Sequence, residues 1–223
     1  RRAPNLRSRT VADGHRVANR VRIWPGWVLW ALAAPAVAVE IDGRIGADEW
    51  AGARHITDFR QVQPLTGEPG SLRTEAWVLA TPEGLAVAFR NAQPAGVPRT
   101  RQKVRRDFQE QVDRVNVFID FDGGGRTGYA FTVSSTGGMA DEIITNQNQF
   151  SSDWDGIWQQ AVSEDADGWS AEILVPWHTA SMQPAVDGER TLRLYLARVT
   201  GATGERVAWP AASFERPRYL SEF

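Results

Sequence analysis

Two stretches of alternating apolar and polar residues, joined by a glycine-rich turn, constrain the fold of this chain more than any other feature. Residues 113–122 read Asp-Arg-Val-Asn-Val-Phe-Ile-Asp-Phe-Asp, and residues 129–133 read Tyr-Ala-Phe-Thr-Val. Successive side chains of a strand point to opposite faces, so the pattern predicts a hairpin with one face in a core. The glycines between them satisfy a dinucleotide-binding motif, but that motif requires a following helix, and here a strand follows.

The same alternation recurs along most of the chain. Further strands are predicted around residues 75–80, 85–89, 169–175 and 192–196. Turns rich in Gly, Pro and Asp separate them, and only short helical turns are expected, near residues 47–51 and 176–180. Strands with one apolar face each predict an all-β fold, an antiparallel β-sandwich of two packed sheets that forms one domain over residues 39–223.

Residues 1–38 have the organisation of a signal peptide. They contain seven Arg and one Asp, and an uncharged apolar run at residues 23–38 ends in Ala36-Val37-Ala38. A basic region, an apolar run and a small-x-small cleavage motif together indicate a secretory leader, with a retained N-terminal anchor as the alternative. We therefore expect an exported protein, located in the periplasm, in the outer membrane or outside the cell.

Composition argues against several classes of function. The chain has no cysteine, so it can hold neither a thiolate zinc site nor a cysteine nucleophile. Without residues 1–38 it keeps 18 of its 25 basic side chains and 26 of its 27 acidic ones, a formal charge of −8. That charge argues against nucleic acid as a partner. The basic run at residues 99–106 is interpreted as a solvated loop, with contact to an anionic glycan as the alternative.

No catalytic constellation is visible in the sequence. Asp120 and Asp122 would suit a structural calcium ion, but the remaining ligands of a calcium loop are missing, so calcium stays unassigned and no other cofactor is predicted. Neighbouring acids such as Asp141 and Glu142 seldom span a glycosidase cleft. We therefore predict a protein that is not itself an enzyme.

Two tryptophans lie in a polar loop, where bulky aromatics are less expected than in strands. Trp154 and Trp158 could offer flat platforms to the apolar faces of sugar rings, or they could cap the ends of the sandwich. The sequence leaves both interpretations open.

From residue 41 onward the chain resembles a family-9 carbohydrate-binding module. The resemblance rests on residues 41–45 (Ile-Asp-Gly-Arg-Ile) with Trp50, residues 113–120, residues 126–129 (Arg-Thr-Gly-Tyr), residues 167–173 with Pro176-Trp177, and residues 207–209 with Ser213-Phe214. It implies a jelly-roll-like sandwich that binds an oligosaccharide or polysaccharide without catalysis, as such modules do in polysaccharide catabolism.

The resemblance also implies a set of ligand-binding residues at one rim of the sandwich. Sugar-binding members of the family clasp the ring between two tryptophans and bond its hydroxyls with polar side chains. One clasp position falls on Phe214 and the other near Glu110. With the nearby Trp209, the predicted ligand-binding residues are Asn116, Thr132, Arg198, Trp209 and Phe214.

Two other interpretations stay open. Similar modules precede the long C-terminal region of bacterial envelope proteins, and this chain stops before the last strand usual in such modules. We therefore expect further chain after Phe223, which could associate with the outer membrane. One alternative is a structural or docking domain in front of an outer-membrane β-barrel, without a small ligand. The other is a haem b-binding periplasmic redox subunit, with Met139 or Met182 opposite Lys103 or a histidine as axial ligands.

Overall fold

The computed structural model describes residues 20–24, 39–107, 110–183, 189–213 and 217–223, with the backbone alone for residues 20–24 and 189. This part of the chain contains thirteen strands and one short 3-10 turn. They are β1 (Arg20–Trp24), β2 (Arg54–Ile56), β3 (Arg60–Gln63), β4 (Thr74–Ala80), β5 (Gly84–Ala92), β6 (Arg114–Asp120), β7 (Thr127–Ser134), β8 (Met139–Thr145), β9 (Gln149–Ser151), β10 (Gln159–Glu164), β11 (Gly168–Pro176), β12 (Glu189–Val199), β13 (Arg206–Trp209) and the 3-10 turn Tyr219–Ser221. The predicted all-β class is confirmed.

The strands form two sheets that pack face to face. The larger sheet has the order β3-β13-β12-β6-β7-β8-β9, with β1 paired in parallel to β12, and the smaller sheet has the order β10-β11-β5-β4-β2. The other described strand pairs are antiparallel. The predicted glycine hairpin is β6–β7, and Gly123 and Gly125 in its turn have φ of 63° and 66°. The predicted antiparallel sandwich is therefore confirmed.

The core lies between the inner faces of the two sheets. Val115, Val117 and Ile119 of β6 face it from the larger sheet, while Val87 and Phe89 of β5 face it from the smaller one. Each such side chain contributes roughly 1.5–3 kcal/mol when it is fully buried. The alternation that predicted these strands therefore also decides which side chains remain for the outer faces.

The outer face of the smaller sheet is covered by residues 39–53. Trp50 packs there against Leu174, and the buried Glu172 of β11 holds the covering segment. Its Oε2 accepts hydrogen bonds from the backbone N–H groups of Asp42 (3.0 Å) and Gly43 (2.8 Å), and its Oε1 accepts one from Trp50 Nε1 (2.9 Å). These bonds tie the Ile-Asp-Gly segment and Trp50 to the same carboxylate.

Within the described residues, the outer face of the larger sheet is covered at one end, by residues 219–223. Tyr219, Leu220 and Phe223 are buried there with Phe118 and Tyr195. The 3-10 turn is fastened by the β8–β9 turn, because the Gln147 carbonyl accepts from the Leu220 N–H at 3.3 Å and Gln147 Oε1 accepts from the Ser221 hydroxyl at 3.0 Å. The other end of this face stays open.

The predicted leader lies mostly outside the described residues, which include only β1 from it. Cleavage after Ala38 therefore stays a prediction. No described segment forms a helix long and apolar enough to cross a membrane.

Candidate functional site

A cleft of about 310 Å³ occupies the open end of the outer face of the larger sheet. Because Val115, Val117 and Ile119 point into the core, the alternate residues of β6 point outward and form its floor. The cleft is lined by Asp107, Glu110, Arg114, Asn116, Phe118, Thr132, Ala140, Glu142, Phe150, Ser152 and Arg206.

Asn116 and Thr132 form the polar centre of the floor. They are directly opposite each other in β6 and β7, and Asn116 Nδ2 donates to Thr132 Oγ1 at 2.7 Å. Asn116 is 4% exposed, and among the described residues no donor reaches its Oδ1. A buried amide oxygen without a partner is costly, so this atom is suited to accept a hydrogen bond from a bound hydroxyl.

Aromatic side chains form the apolar wall of the cleft. Phe150 of β9 remains 39% exposed, and its ring lies 5.9 Å from that of Phe118 in an edge-on arrangement. Phe150 also contacts Tyr219, with ring centroids 6.4 Å apart. An exposed ring held by two neighbours presents a flat apolar surface next to the polar floor.

Four of the five charged residues of the cleft form a basic side and an acidic side, and the fifth, Glu110, lies next to Arg114, with its backbone carbonyl 3.5 Å from Arg114 Nη1. Arg114 of β6 and Arg206 of β13 both pair with Val199, so they flank one valine on the outer face. Burial and the neighbouring Arg206 lower the pKa of Arg114 to about 10. On the other side, burial and then Asp107 raise the pKa of Glu142 above its usual value.

The structure brings together only two of the five predicted ligand-binding residues, Asn116 and Thr132. Asn116 pairs with Ala197, so the next residue, Arg198, points to the opposite face of the sheet. Arg198 is 1% exposed and donates inside the sandwich to Gln93 Oε1 (3.2 Å) and to the Arg73 carbonyl (3.3 Å). Burial lowers its pKa to about 10.

Of the two predicted aromatic ligands, one points away from the cleft and the other lies outside the described residues. Trp209 pairs with Leu196 and so belongs to the inner face, where the Arg54 guanidinium lies 4.7 Å from its ring centroid. Phe214 lies outside the described residues, as does Phe108 near the second clasp position.

The remaining sequence candidates have structural roles. Trp158 is buried and Trp154 packs against the main core, so both cap the sandwich. Asp120 closes the glycine turn, accepting from the N–H groups of Asp122 (3.1 Å) and Gly125 (2.6 Å). Within the described residues no group of three or more His, Cys, Asp or Glu side chains is arranged to hold a metal ion.

The acid neighbours Asp141 and Glu142 point to opposite faces of β8. Glu142 lines the cleft, whereas Asp141 is buried and accepts from Arg106 Nη2 and from the Gly156 N–H. Of the haem-ligand candidates, Met139 and Met182 pack against the main core and Lys103 is exposed on a loop. None of these three residues lines the cleft.

Sequence reasoning missed most of the residues that line the cleft. Arg114 and Phe118 lie on the outward face of β6, a strand that the alternation did predict. The signal that could have identified them is that their side chains alternate with those of the core. Glu142, Phe150 and Arg206 lie on β8, β9 and β13, short or weakly alternating strands that the pattern did not predict.

Comparison with solved structures confirms the predicted family at the level of fold. A Bacteroides uniformis protein with a proposed carbohydrate-binding role superposes with a TM-score of 0.53 at 10% identity, over 75% of this chain and 84% of the other. A family-9 carbohydrate-binding module from Caldicellulosiruptor kristjanssonii, in complex with cellotriose, gives 0.51 at 11% identity over 85% and 80%. The same kind of module from that organism in complex with glucose gives 0.50 at 12% identity over 77% and 79%. The chain thus has the fold of family-9 carbohydrate-binding modules.

No family model matches the sequence. No curated protein matches it either. The likeness is therefore one of three-dimensional structure, at identities where loops and surface residues are free to differ.

Proposed function

We propose that this protein is a non-catalytic carbohydrate-binding module and that the cleft on the outer face of its larger sheet is the sugar site. The observation that carries the proposal is Asn116 Oδ1, which has no donor among the described residues and is buried in the floor of a cleft beside the exposed ring of Phe150. Sugars present hydroxyls at the edge and C–H groups on the faces of the ring, so they need this combination of polar floor and apolar wall.

Two further features support the proposal. The cleft volume of about 310 Å³ falls at the lower end of ligand pockets, roughly 300–1,000 Å³. Asn116 and Thr132 occupy positions that correspond, by the resemblance, to hydroxyl-binding side chains, and two structural neighbours hold cellotriose and glucose.

Calorimetric titration of the full chain with cellotriose, xylotriose and glucose tests the proposal. We expect saturable binding, and Asn116→Ala should weaken it about fivefold, because one hydrogen bond to the ligand is worth about 1 kcal/mol. Phe150→Ala should weaken binding as well, since it removes the apolar wall.

Leu65→Ala is the matched control, because Leu65 is another exposed apolar side chain, 55% exposed, that does not line the cleft. It should leave the affinity unchanged. A folded protein that gives no heat at millimolar concentration with any of the three neutral sugars, nor with an acidic trisaccharide, would exclude the proposed function.

A further inference from the structure

We infer that the sugar bound in the cleft carries a carboxylate, as a uronic acid does, and that Arg114 and Arg206 hold this group. The inference rests on the proposed function and names the ligand class for the same site. Its basis is the arrangement of charge across the cleft.

The two arginines are placed to act on one anion. Both flank Val199 on the outer face, so their Cα atoms are two strand spacings apart, about 10 Å. Both side chains line the same cleft, where their length allows the guanidinium groups to converge. A guanidinium presents its N–H donors as a planar fork that matches the two oxygens of a carboxylate.

Among the described residues, no carboxylate forms an ion pair with Arg114. Its Nη1 donates at long distance to the carbonyls of Glu110 (3.5 Å) and Val112 (3.4 Å). In the described part of the molecule, no carboxylate oxygen lies within 4.0 Å of its guanidinium nitrogens, the distance of an ion pair. A half-buried cation beside a second cation raises the free energy of the unliganded cleft, and a bound anion relieves it.

The opposite side of the cleft accepts neutral hydroxyls rather than an anion. Glu142 and Asp107 lie there, and Asn116 Oδ1 in the floor is an acceptor without a donor. A ligand with a carboxylate at one end and hydroxyls at the other therefore fits in a single orientation, with its charge on the side of Arg114.

The basic loop at residues 99–106 does not offer an equivalent site. Arg99 donates to the carbonyls of Gln93 and Ala166, Arg101 pairs with Glu164, and Arg106 pairs with Asp141. These three arginines are held by the protein itself, whereas Lys103 and Arg105 are exposed and do not line the cleft.

Calorimetry with trigalacturonate and with its fully methyl-esterified form tests the inference, with cellotriose as the neutral reference. Esterification removes the charge and keeps the ring hydroxyls. We expect trigalacturonate to bind at least about tenfold more tightly than its ester, because a hydrogen bond between a guanidinium and a carboxylate is stronger than one to a neutral ester. Arg114→Gln should abolish this preference, while Arg126→Gln, an exposed arginine in the β6–β7 turn with the same charge change, should preserve it.

The outcomes separate the two proposals. Equal affinity for trigalacturonate and its ester, with cellotriose also bound, would overturn the carboxylate assignment and leave the sugar site standing. Absence of binding to all three ligands would overturn both. Should Arg114→Gln fail to fold, the wild-type protein still decides the matter, because only affinity for the charged trimer should fall as salt is raised.

Discussion

Glu172 connects two segments of the resemblance, residues 41–50 and residues 167–173, through a single carboxylate. Its oxygens accept three N–H groups from residues 42–50, and it is completely buried. We predict that Glu172→Gln destabilises the fold by about 2–4 kcal/mol, because the amide turns an N–H₂ group toward N–H donors. Urea unfolding followed by tryptophan fluorescence measures this loss.

Trp50→Phe is the informative comparison for that variant. It removes the indole donor and part of the buried ring but keeps both backbone bonds to Glu172, so we expect a smaller loss than for Glu172→Gln, about 1–2 kcal/mol. Equal losses in the two variants would mean that packing of the ring, rather than the carboxylate, holds residues 39–53 in place.

Glu142 should make stability depend on pH. Its folded pKa is raised, by burial first and by Asp107 second. The folded state therefore retains this proton to higher pH than the unfolded state, and stability falls as pH rises from the unfolded pKa, about 4.3, through the folded one. We predict that the stability of Glu142→Gln relative to wild type increases across this window. Urea unfolding at a series of pH values from 4 to 7.5 tests this, and a difference independent of pH would contradict it.

At the scale of single residues, the sequence predicted side-chain types better than side-chain directions. Asn116 and Arg198 were assigned to one site, yet their backbones lie in neighbouring strands one residue out of register, which sends them to opposite faces. Alternation within a strand is readable from sequence, but register between strands is set by turns and by packing of the whole sheet.

At the scale of elements, the 3-10 turn at residues 219–221 packs against Gly128 of β7, where only a glycine leaves room for Leu220. An added Cβ on Gly128 would lie 2.5 Å from Leu220 Cδ2, and Leu220 is fully buried. We predict that Gly128→Ala costs about 1–3 kcal/mol through overpacking. Leu220→Ala makes room for the new methyl group, so the double variant should be more stable than the sum of the two losses predicts, by about 1 kcal/mol.

Gly124→Ala serves as the control for that cycle. Gly124 lies in the neighbouring turn with only Arg126 Nε near its added Cβ, at 3.8 Å. Its substitution should change the free energy of unfolding little in urea titrations. Additive losses for Gly128→Ala and Leu220→Ala would show that the two residues do not compete for the same space.

The elements that the sequence predicted are those buried on at least one long face. β4, β5, β6, β7, β11 and β12 all match predicted segments. β2, β3, β9 and β13 have only three or four residues each, too few for a period of two to be recognised. β8 and β10 are longer, but their mixed burial obscures the alternation.

At the scale of the whole molecule, the fold could be predicted, while the cleft could be predicted only in part. The apolar positions that define the sandwich are dictated by burial, and the fold is shared with structural neighbours at 10–12% identity. The cleft draws its lining from β6, β7, β8, β9 and β13 and from the loop before β6. No short stretch of sequence contains it, and it becomes visible only when the sheet is assembled.

The division of β6 into a core side and a cleft side has a practical consequence for engineering. Val115, Val117 and Ile119 pack in the core of the sandwich. Arg114 and Asn116 alternate with them along β6 and line the cleft. A combinatorial library varied at Arg114, Asn116, Thr132 and Glu142 would therefore change the lining of the proposed sugar site on an unchanged scaffold, and variants could be selected on immobilised polysaccharides.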